Sequence, residues 1–220
     1  MERSELDRQI EDGVRLEQAL RWEDAEAHYR SLLTTAKHAA LGSLADLRLR
    51  HANALLELRR YDDARAEFDE ALTAARTAKD PVVLARALLG AGVFAASRGD
   101  LPRGEEFLLA ALQSFHGRHD ADGVQGEGWA LLNLAAIYGK TKRLDLAFLT
   151  FEKARERLFA IENWVGVATA WELQAKLRET LGDTDRVPQD LHEAMSFYAK
   201  QGMTEKVEEL RRRLGGRRVV

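Results

Sequence analysis

A regular spacing of small residues runs through this chain and constrains its fold more than any other feature. A small or short apolar residue recurs at positions 25, 64, 104, 147 and 187, in steps of 39, 40, 43 and 40 residues. Twelve positions before each of them lies another small residue, and these partners are Gly13, Ala52, Gly92, Ala135 and Ala175. Small residues that face each other let two antiparallel helices approach closely, while larger apolar residues one and two turns away fill the space beside them. The spacing therefore predicts a series of helical hairpins.

Composition and helix-end signals agree with an all-α chain. Leu and Ala supply 67 residues whereas Val and Ile supply 14, so good helix formers greatly outnumber β-branched residues. Pro81, Pro102 and Pro188 each fall near the predicted start of a helix, where a missing N–H costs nothing. Gly99 and Gly182 stand where one helix of a hairpin ends and the next begins. We expect hairpins at about 4–38, 42–78, 81–117, 122–160 and 164–201 and a capping helix at 204–214, in one domain over 1–220.

The pattern of small and aromatic residues resembles the tetratricopeptide repeat (TPR), most specifically in segments 60–71, 131–138 and 144–154. The spacing near 40 exceeds the usual repeat of about 34 residues. In this it is similar to the longer repeats of kinesin light chains and bacterial peptide-sensing regulators. The resemblance implies an all-α, right-handed superhelical solenoid of five hairpins that serves as a binding scaffold.

The resemblance also implies which residues meet a partner, because the first helix of each hairpin lines the concave surface. Asn amides there suit a peptide backbone, and apolar neighbours suit an extended segment or an amphipathic helix. Packing between hairpins is an equal alternative for Trp129, and ion pairs with Asp46 and Glu57 are an alternative for Arg50 and Arg86. The candidate partner-binding residues are Leu49, Arg50, Asn53, Arg86, Leu89, Val93, Trp129, Leu132, Asn133, Ala136 and Lys140.

Some members of the family grip the terminal carboxylate of a chaperone with Lys and Asn side chains. Asn53 and Asn133 match two of those positions, but Leu49, Gly90 and Trp129 stand where the remaining polar residues would be expected. The resemblance therefore favours a more apolar ligand than a chaperone tail.

Catalytic, cofactor, nucleic-acid and membrane functions find little support in the sequence. There is no Cys, no phosphate-binding glycine loop and no activated nucleophile, so we expect neither an enzyme nor a cofactor. His116, His119, Asp120 and Asp122 form the one compact group with metal-ligand chemistry, and zinc or nickel there is a minor alternative. The net charge of −3 disfavours nucleic acid, although Arg211 to Arg213 with Arg217 and Arg218 form a basic cluster. Residues 1–9 lack the apolar run of a signal peptide and no stretch is long and apolar enough to span a membrane, so a cytosolic location is expected.

The sequence thus predicts a protein-interaction scaffold or adaptor that binds a peptide or a helical segment in its concave groove. Two alternatives stay open. One is a regulatory sensor in which a peptide or small ligand changes the superhelix, and the other is self-association through the apolar part of the groove as a homodimer.

Overall fold

The computed structural model describes residues 5–36 and 39–215. Over these residues the chain contains α-helices and no strand, which confirms the all-α prediction for the described part. His38, Arg217 and Arg218 and the outermost residues of the predicted hairpin 4–38 lie outside it. The helices are α1 (Glu5–Gln18), α2 (Trp22–Thr35), α3 (Leu41–Glu57), α4 (Tyr61–Ala78), α5 (Pro81–Ser97), α6 (Leu101–Phe115), α7 (Ala121–Lys140), α8 (Leu144–Ala160), α9 (Trp164–Leu181), α10 (Val187–Lys200) and α11 (Thr204–Gly215).

The chain forms two compact units, unit 1 within Met1–Ser114 and unit 2 within Phe115–Val220. In unit 1, α1 packs on α2 and α3 on α4, and α3 also contacts α1 and α5. In unit 2, α7 packs on α8 and α9 on α10, and α11 covers α10. The single domain over 1–220, the count of five repeats and the right-handed superhelix stay predictions.

The paired small residues lie at helix contacts, as their spacing predicts. Every residue of the five pairs is buried. In unit 1, a methyl group added at Gly92 of α5 would lie 2.8 Å from Leu108 Cγ and 3.2 Å from the carbonyl oxygen of Gly104, both on α6. The backbones of α5 and α6 therefore approach closely because neither glycine carries a side chain.

Helix ends follow the chemistry of their residues. Pro81 is the first residue of α5, and the preceding Asp80 accepts a hydrogen bond from the Val82 N–H. Gly182 ends α9 with a φ of 75°, a left-handed conformation that glycine adopts without strain. These signals place the observed helix bounds within a few residues of the predicted ones.

The core of unit 2 continues into the last helix. Its buried cluster joins α9, α10 and α11 and includes Ala168, Ala175, Val187, Leu191, Ala194, Tyr198 and Leu210. Leu210 is fully buried, so α11 closes the apolar surface of α10 as a capping helix should.

Candidate functional site

The first-helix face of unit 1 consists of the side chains that α1, α3 and α5 present on one side, and an ion network crosses it. Arg50 of α3 lies 3.3 Å from Glu17 of α1 and 3.2 Å from Asp46. Asp46 in turn lies 3.4 Å from Arg86 of α5. The alternative of an ion pair with Asp46 is confirmed for both arginines, but the second carboxylate at Arg50 comes from Glu17 and not from Glu57. The network ties the three helices together across the face.

Burial and charge fix the protonation of this network. Burial lowers the pKa of the Arg50 guanidinium, but the charges of Asp46 and Glu17 outweigh it and raise that pKa overall. The Tyr29 hydroxyl donates a hydrogen bond of 2.7 Å to Glu17, and burial together with this carboxylate raises the pKa of Tyr29. Arg50 is therefore a fixed cation whose Nε and Nη1 donors are engaged within unit 1.

Two polar groups on this face stay available to a ligand. Asn53 is exposed, and its side chain forms no hydrogen bond within the described residues. The Arg86 side chain is 43% exposed, so the end of its guanidinium group can reach a ligand, although its Nε is buried. Leu89 and Val93 lie half-buried on α5, where they add apolar surface beside Arg86.

Leu49 has a packing role on the same face. A methyl group at Gly90 of α5 would lie 2.5 Å from Leu49 Cδ1 and 3.0 Å from a ring carbon of Phe68. The Leu49 side chain therefore fills the space above Gly90 and joins α3 to α5. This contact explains why apolar and small residues occupy positions where a carboxylate-gripping relative would need polar ones.

The candidates on α7 of unit 2 divide between core and surface. Leu132 is only 2% exposed, so its prediction as a partner contact is wrong. It lies one turn before Ala135 and shares the buried side of the helix. Asn133 donates a hydrogen bond of 2.8 Å to the Trp129 carbonyl oxygen, so one of its two N–H donors is engaged within α7. Trp129, Asn133 and Ala136 are half-buried and Lys140 is exposed.

A charged cavity of about 440 Å³ lies between α2, α3 and α4. Buried His51 stands between Glu26 at 3.4 Å and Glu67 at 3.5 Å. Arg60 lies 2.9 Å from Glu26 and Arg48 lies 2.7 Å from Glu67. Burial raises the pKa of Glu67, but hydrogen bonds from His51 and Arg48 outweigh it and lower that pKa overall. The buried carboxylates are thus paired with cations, and the exposed side chains of Arg60 and Asp63 border the cavity where it opens to solvent.

An aromatic cleft on unit 2 was not predicted from the sequence. Phe159 of α8, Trp164 at the start of α9 and Phe197 of α10 contact one another through their rings. The adjoining cavity of about 490 Å³ is lined by Arg155, Glu156, Phe159, Ala160, Val167, Trp171, Glu193 and Phe197. We call these lining residues, together with Trp164 and Lys200, the aromatic cleft.

The candidate metal group has a structural explanation. Asp120 accepts a hydrogen bond from the Gly123 N–H at the start of α7 and lies 2.9 Å from Arg118. Throughout residues 5–36 and 39–215, no three His, Asp or Glu side chains come together as a metal site would require. Within the same residues no helix is both long and apolar enough to cross a membrane.

Comparisons with known proteins bear on the fold. No protein-family model matches the sequence, and no curated protein matches it either. Among solved structures, PlcR of Bacillus thuringiensis in complex with the peptide PapR7 and DNA is similar with a TM-score of 0.75. The two share 15% identity over 93% of this chain and 73% of PlcR.

Two further structures are similar over nearly the whole chain. A Rap protein complexed with Competence and Sporulation Factor has a TM-score of 0.67 and 15% identity over 98% of this chain and 64% of Rap, so the chain spans less than two thirds of that protein. The nearly identical TPR-like repeats of a Podosopora anserina protein described as a kinesin light chain have a TM-score of 0.59 and 12% identity, over 90% of this chain and 96% of theirs. These likenesses confirm a TPR-like helical fold.

Proposed function

We propose that this chain is a cytosolic, non-enzymatic interaction module that binds a peptide or a helical segment of a partner protein on the first-helix face. The observation that carries the proposal is the pair of solvent-accessible polar side chains, Asn53 on α3 and Arg86 on α5, beside half-buried Leu89 and Val93. An Asn amide offers both a donor and an acceptor to a peptide backbone, and Arg offers several donors to a carbonyl or a carboxylate.

Preorganisation supports the same function. The Asp46 carboxylate forms ion pairs with both Arg50 and Arg86, so both arginine side chains are already oriented before a ligand binds. Binding then costs less side-chain entropy than it would on a surface of free side chains. Two similar structures also support a peptide ligand, since PlcR was solved with the peptide PapR7 and Rap with Competence and Sporulation Factor.

Site-specific photo-crosslinking tests the proposal. Benzoylphenylalanine at Asn53 should capture a polypeptide in the cells that the chain comes from, whereas the same residue at exposed Gln113 of α6 should not. The captured segment is then synthesised, and its affinity is measured by fluorescence anisotropy. Asn53→Ala and Arg86→Ala should each weaken it about tenfold. Equal capture from Asn53 and Gln113, or unchanged affinity in both variants, would refute a site on this face.

A sensor is a second candidate, favoured by the higher TM-scores to PlcR and Rap than to the kinesin light chain repeats. In a sensor, the ligand of the first-helix face changes the conformational equilibrium of the chain. Hydrogen exchange of unit 2 distinguishes the two functions. Slower exchange of α9 and α10 amides on adding the captured segment would indicate sensing, and a change confined to unit 1 would indicate a plain adaptor.

A further inference from the structure

We propose that the aromatic cleft of unit 2 is a second docking surface, and that it takes a basic amphipathic segment of a partner protein. The apolar side chain of that segment lies in the cavity beside Phe159 and Phe197, and its Lys or Arg lies near Glu156 and Glu193, which line the same cavity. The residues belong to α8, α9 and α10, so the proposal is independent of the first-helix face.

The aromatic rings form an anchor site for an apolar side chain. Phe159 and Trp164 meet edge to face with centroids 5.2 Å apart, and Trp164 stacks on Phe197 at 5.9 Å. Phe159 is nevertheless 52% exposed, and it is unusual for so large an apolar ring to have this much of its surface in contact with water. Exposed aromatic side chains that flank a concave apolar surface are typical of the residues that dominate binding energy in interfaces.

The polar residues of the cleft differ in whether they already have a partner. Arg155 lies 3.8 Å from the centroid of Trp171 and donates a hydrogen bond of 2.9 Å to Gln174 Oε1. It is thereby held against the floor of the cleft. Glu156 and Glu193 form no salt bridge with any described residue, and they border the cavity from α8 and α10. Among the residues that line the cavity, the charges without a salt bridge or side-chain hydrogen bond are therefore these two carboxylates, while the exposed cations of the same helices, Lys153, Arg157 and Lys200, lie outside the lining.

Charge complementarity selects the occupant. A Lys or Arg side chain has an apolar stem that suits the rings and a cationic head that suits two carboxylates. The rings already accept one cation, because Lys200 Nζ lies 4.6 Å from the centroid of Phe197 and 5.0 Å from that of Trp164. The glutamates would repel an anionic lipid surface or an acidic peptide. A basic amphipathic segment satisfies both the apolar and the charged part of the cleft.

Selection from a phage-displayed library of random 16-residue peptides tests the proposal. The library is selected on the wild-type chain after depletion on Phe159→Ala, which should fold because the ring is half-exposed. We expect enriched peptides to carry Leu, Phe or Trp with a Lys or Arg within one helical turn. Acidic or uncharged consensus sequences, or no enrichment over the depleted variant, would overturn the proposal.

Affinities of an enriched peptide then locate the contact. Phe159→Ala should weaken binding about tenfold, and Glu156→Gln with Glu193→Gln about threefold at low salt. Leu149→Ala is the matched control, because Leu149 is 48% exposed on the same helix but lies outside the cleft. An equal loss in the Leu149 variant, or full affinity in the glutamate variant, contradicts the assignment.

The four tryptophans provide an internal readout. The indole N–H resonances of Trp164 and Trp171 should shift on adding the peptide, while those of Trp22 and Trp129 should stay in place. Shifts confined to Trp22 or Trp129 would place the peptide elsewhere. Binding of vesicles of anionic phospholipid, abolished by Phe159→Ala, would also overturn the proposal by identifying a lipid occupant.

Discussion

The close contact between α5 and α6 predicts that a single methyl group at Gly104 destabilises the chain. This methyl would lie 3.0 Å from Ala96 Cβ, 3.1 Å from the Ala96 nitrogen and 3.1 Å from the Gly92 carbonyl oxygen. Two of the three atoms belong to the backbone of α5, so no side-chain rotation relieves the contact. The two helices must separate by a few tenths of an ångström instead.

The size of the effect follows from two opposing contributions. Replacing a helical Gly by Ala stabilises the helix by about 1 kcal/mol. Overpacking a close contact costs about 1 to 3 kcal/mol. The net expectation for Gly104→Ala is a loss of about 1 kcal/mol in the free energy of unfolding, or about 3 °C in melting temperature for a chain of this size.

Gly42→Ala is the matched control. Gly42 lies in the first turn of α3, and the nearest atom to an added methyl is Val83 Cγ2 at 3.8 Å, an ordinary contact. This variant should gain about 0.5 kcal/mol. Both variants are compared by thermal and urea unfolding followed by circular dichroism at 222 nm. If Gly104→Ala stabilises the chain as much as Gly42→Ala, the small residues are not where the helices touch.

Two further predictions concern buried charges. The pKa of Glu67 is lowered in the folded chain, so its ionised form contributes stability above the ordinary value of 4.5 that is lost as the pH falls further. Urea midpoints between about pH 5 and pH 3 should therefore decline less steeply in Glu67→Gln than in wild type, whereas exposed Glu70→Gln should keep the wild-type slope. Asp190 is 3% exposed and lies 2.8 Å from Arg178, so Asp190→Ala should cost about 3 kcal/mol in urea unfolding. Asp183→Ala removes the more exposed partner of the same arginine and should cost less than about 1 kcal/mol; equal losses would show that burial of the pair is unimportant.

The sequence predicts the helices well because their determinants are local. The predicted hairpin 42–78 ends where α4 ends, and Pro81 marks the first residue of α5. The second helix of the predicted hairpin 81–117 ends at Phe115 instead, because Gly117 adopts a φ of 80° that no α-helix contains. Local capping, proline and glycine signals therefore suffice to position these elements.

The candidate site was less predictable because its contacts join residues far apart in the chain. Arg50 has Glu57 close in sequence, yet it pairs with Glu17, which α1 brings to it through packing. The aromatic cleft depends on three helices, and the repeat pattern says nothing about it. One signal was available: Leu158 and Phe159 are adjacent and apolar, and successive residues of a helix point about 100° apart. Since Leu158 is buried, Phe159 has to point elsewhere.

Equivalent positions of the repeat carry different chemistry, and in two repeats a buried polar residue of the first helix contacts a carboxylate of the second. His51, Ala91 and Gln174 each precede the small residue of a first helix, and all three are buried. His51 contacts Glu67 of the following second helix, and Gln174 contacts Asp190. Both carboxylates lie three residues after the small residue of that second helix, whereas the corresponding position beside Ala91 is Phe107, and both residues line one cavity.

In these three repeats a buried polar group occurs together with its partner, or both positions are apolar, whereas the corresponding residues of the fourth repeat are buried Leu134 and buried Thr150. The reason is energetic, because an unpaired polar group in the core costs about 1 to 3 kcal/mol. A large buried polar side chain such as His51 or Gln174 thus needs a polar partner on the neighbouring helix. Half-exposed positions outside these pairs, such as Phe159 and Arg86, are free of that constraint. This difference explains why the two proposed binding surfaces use half-exposed side chains while the paired polar residues stay within the core.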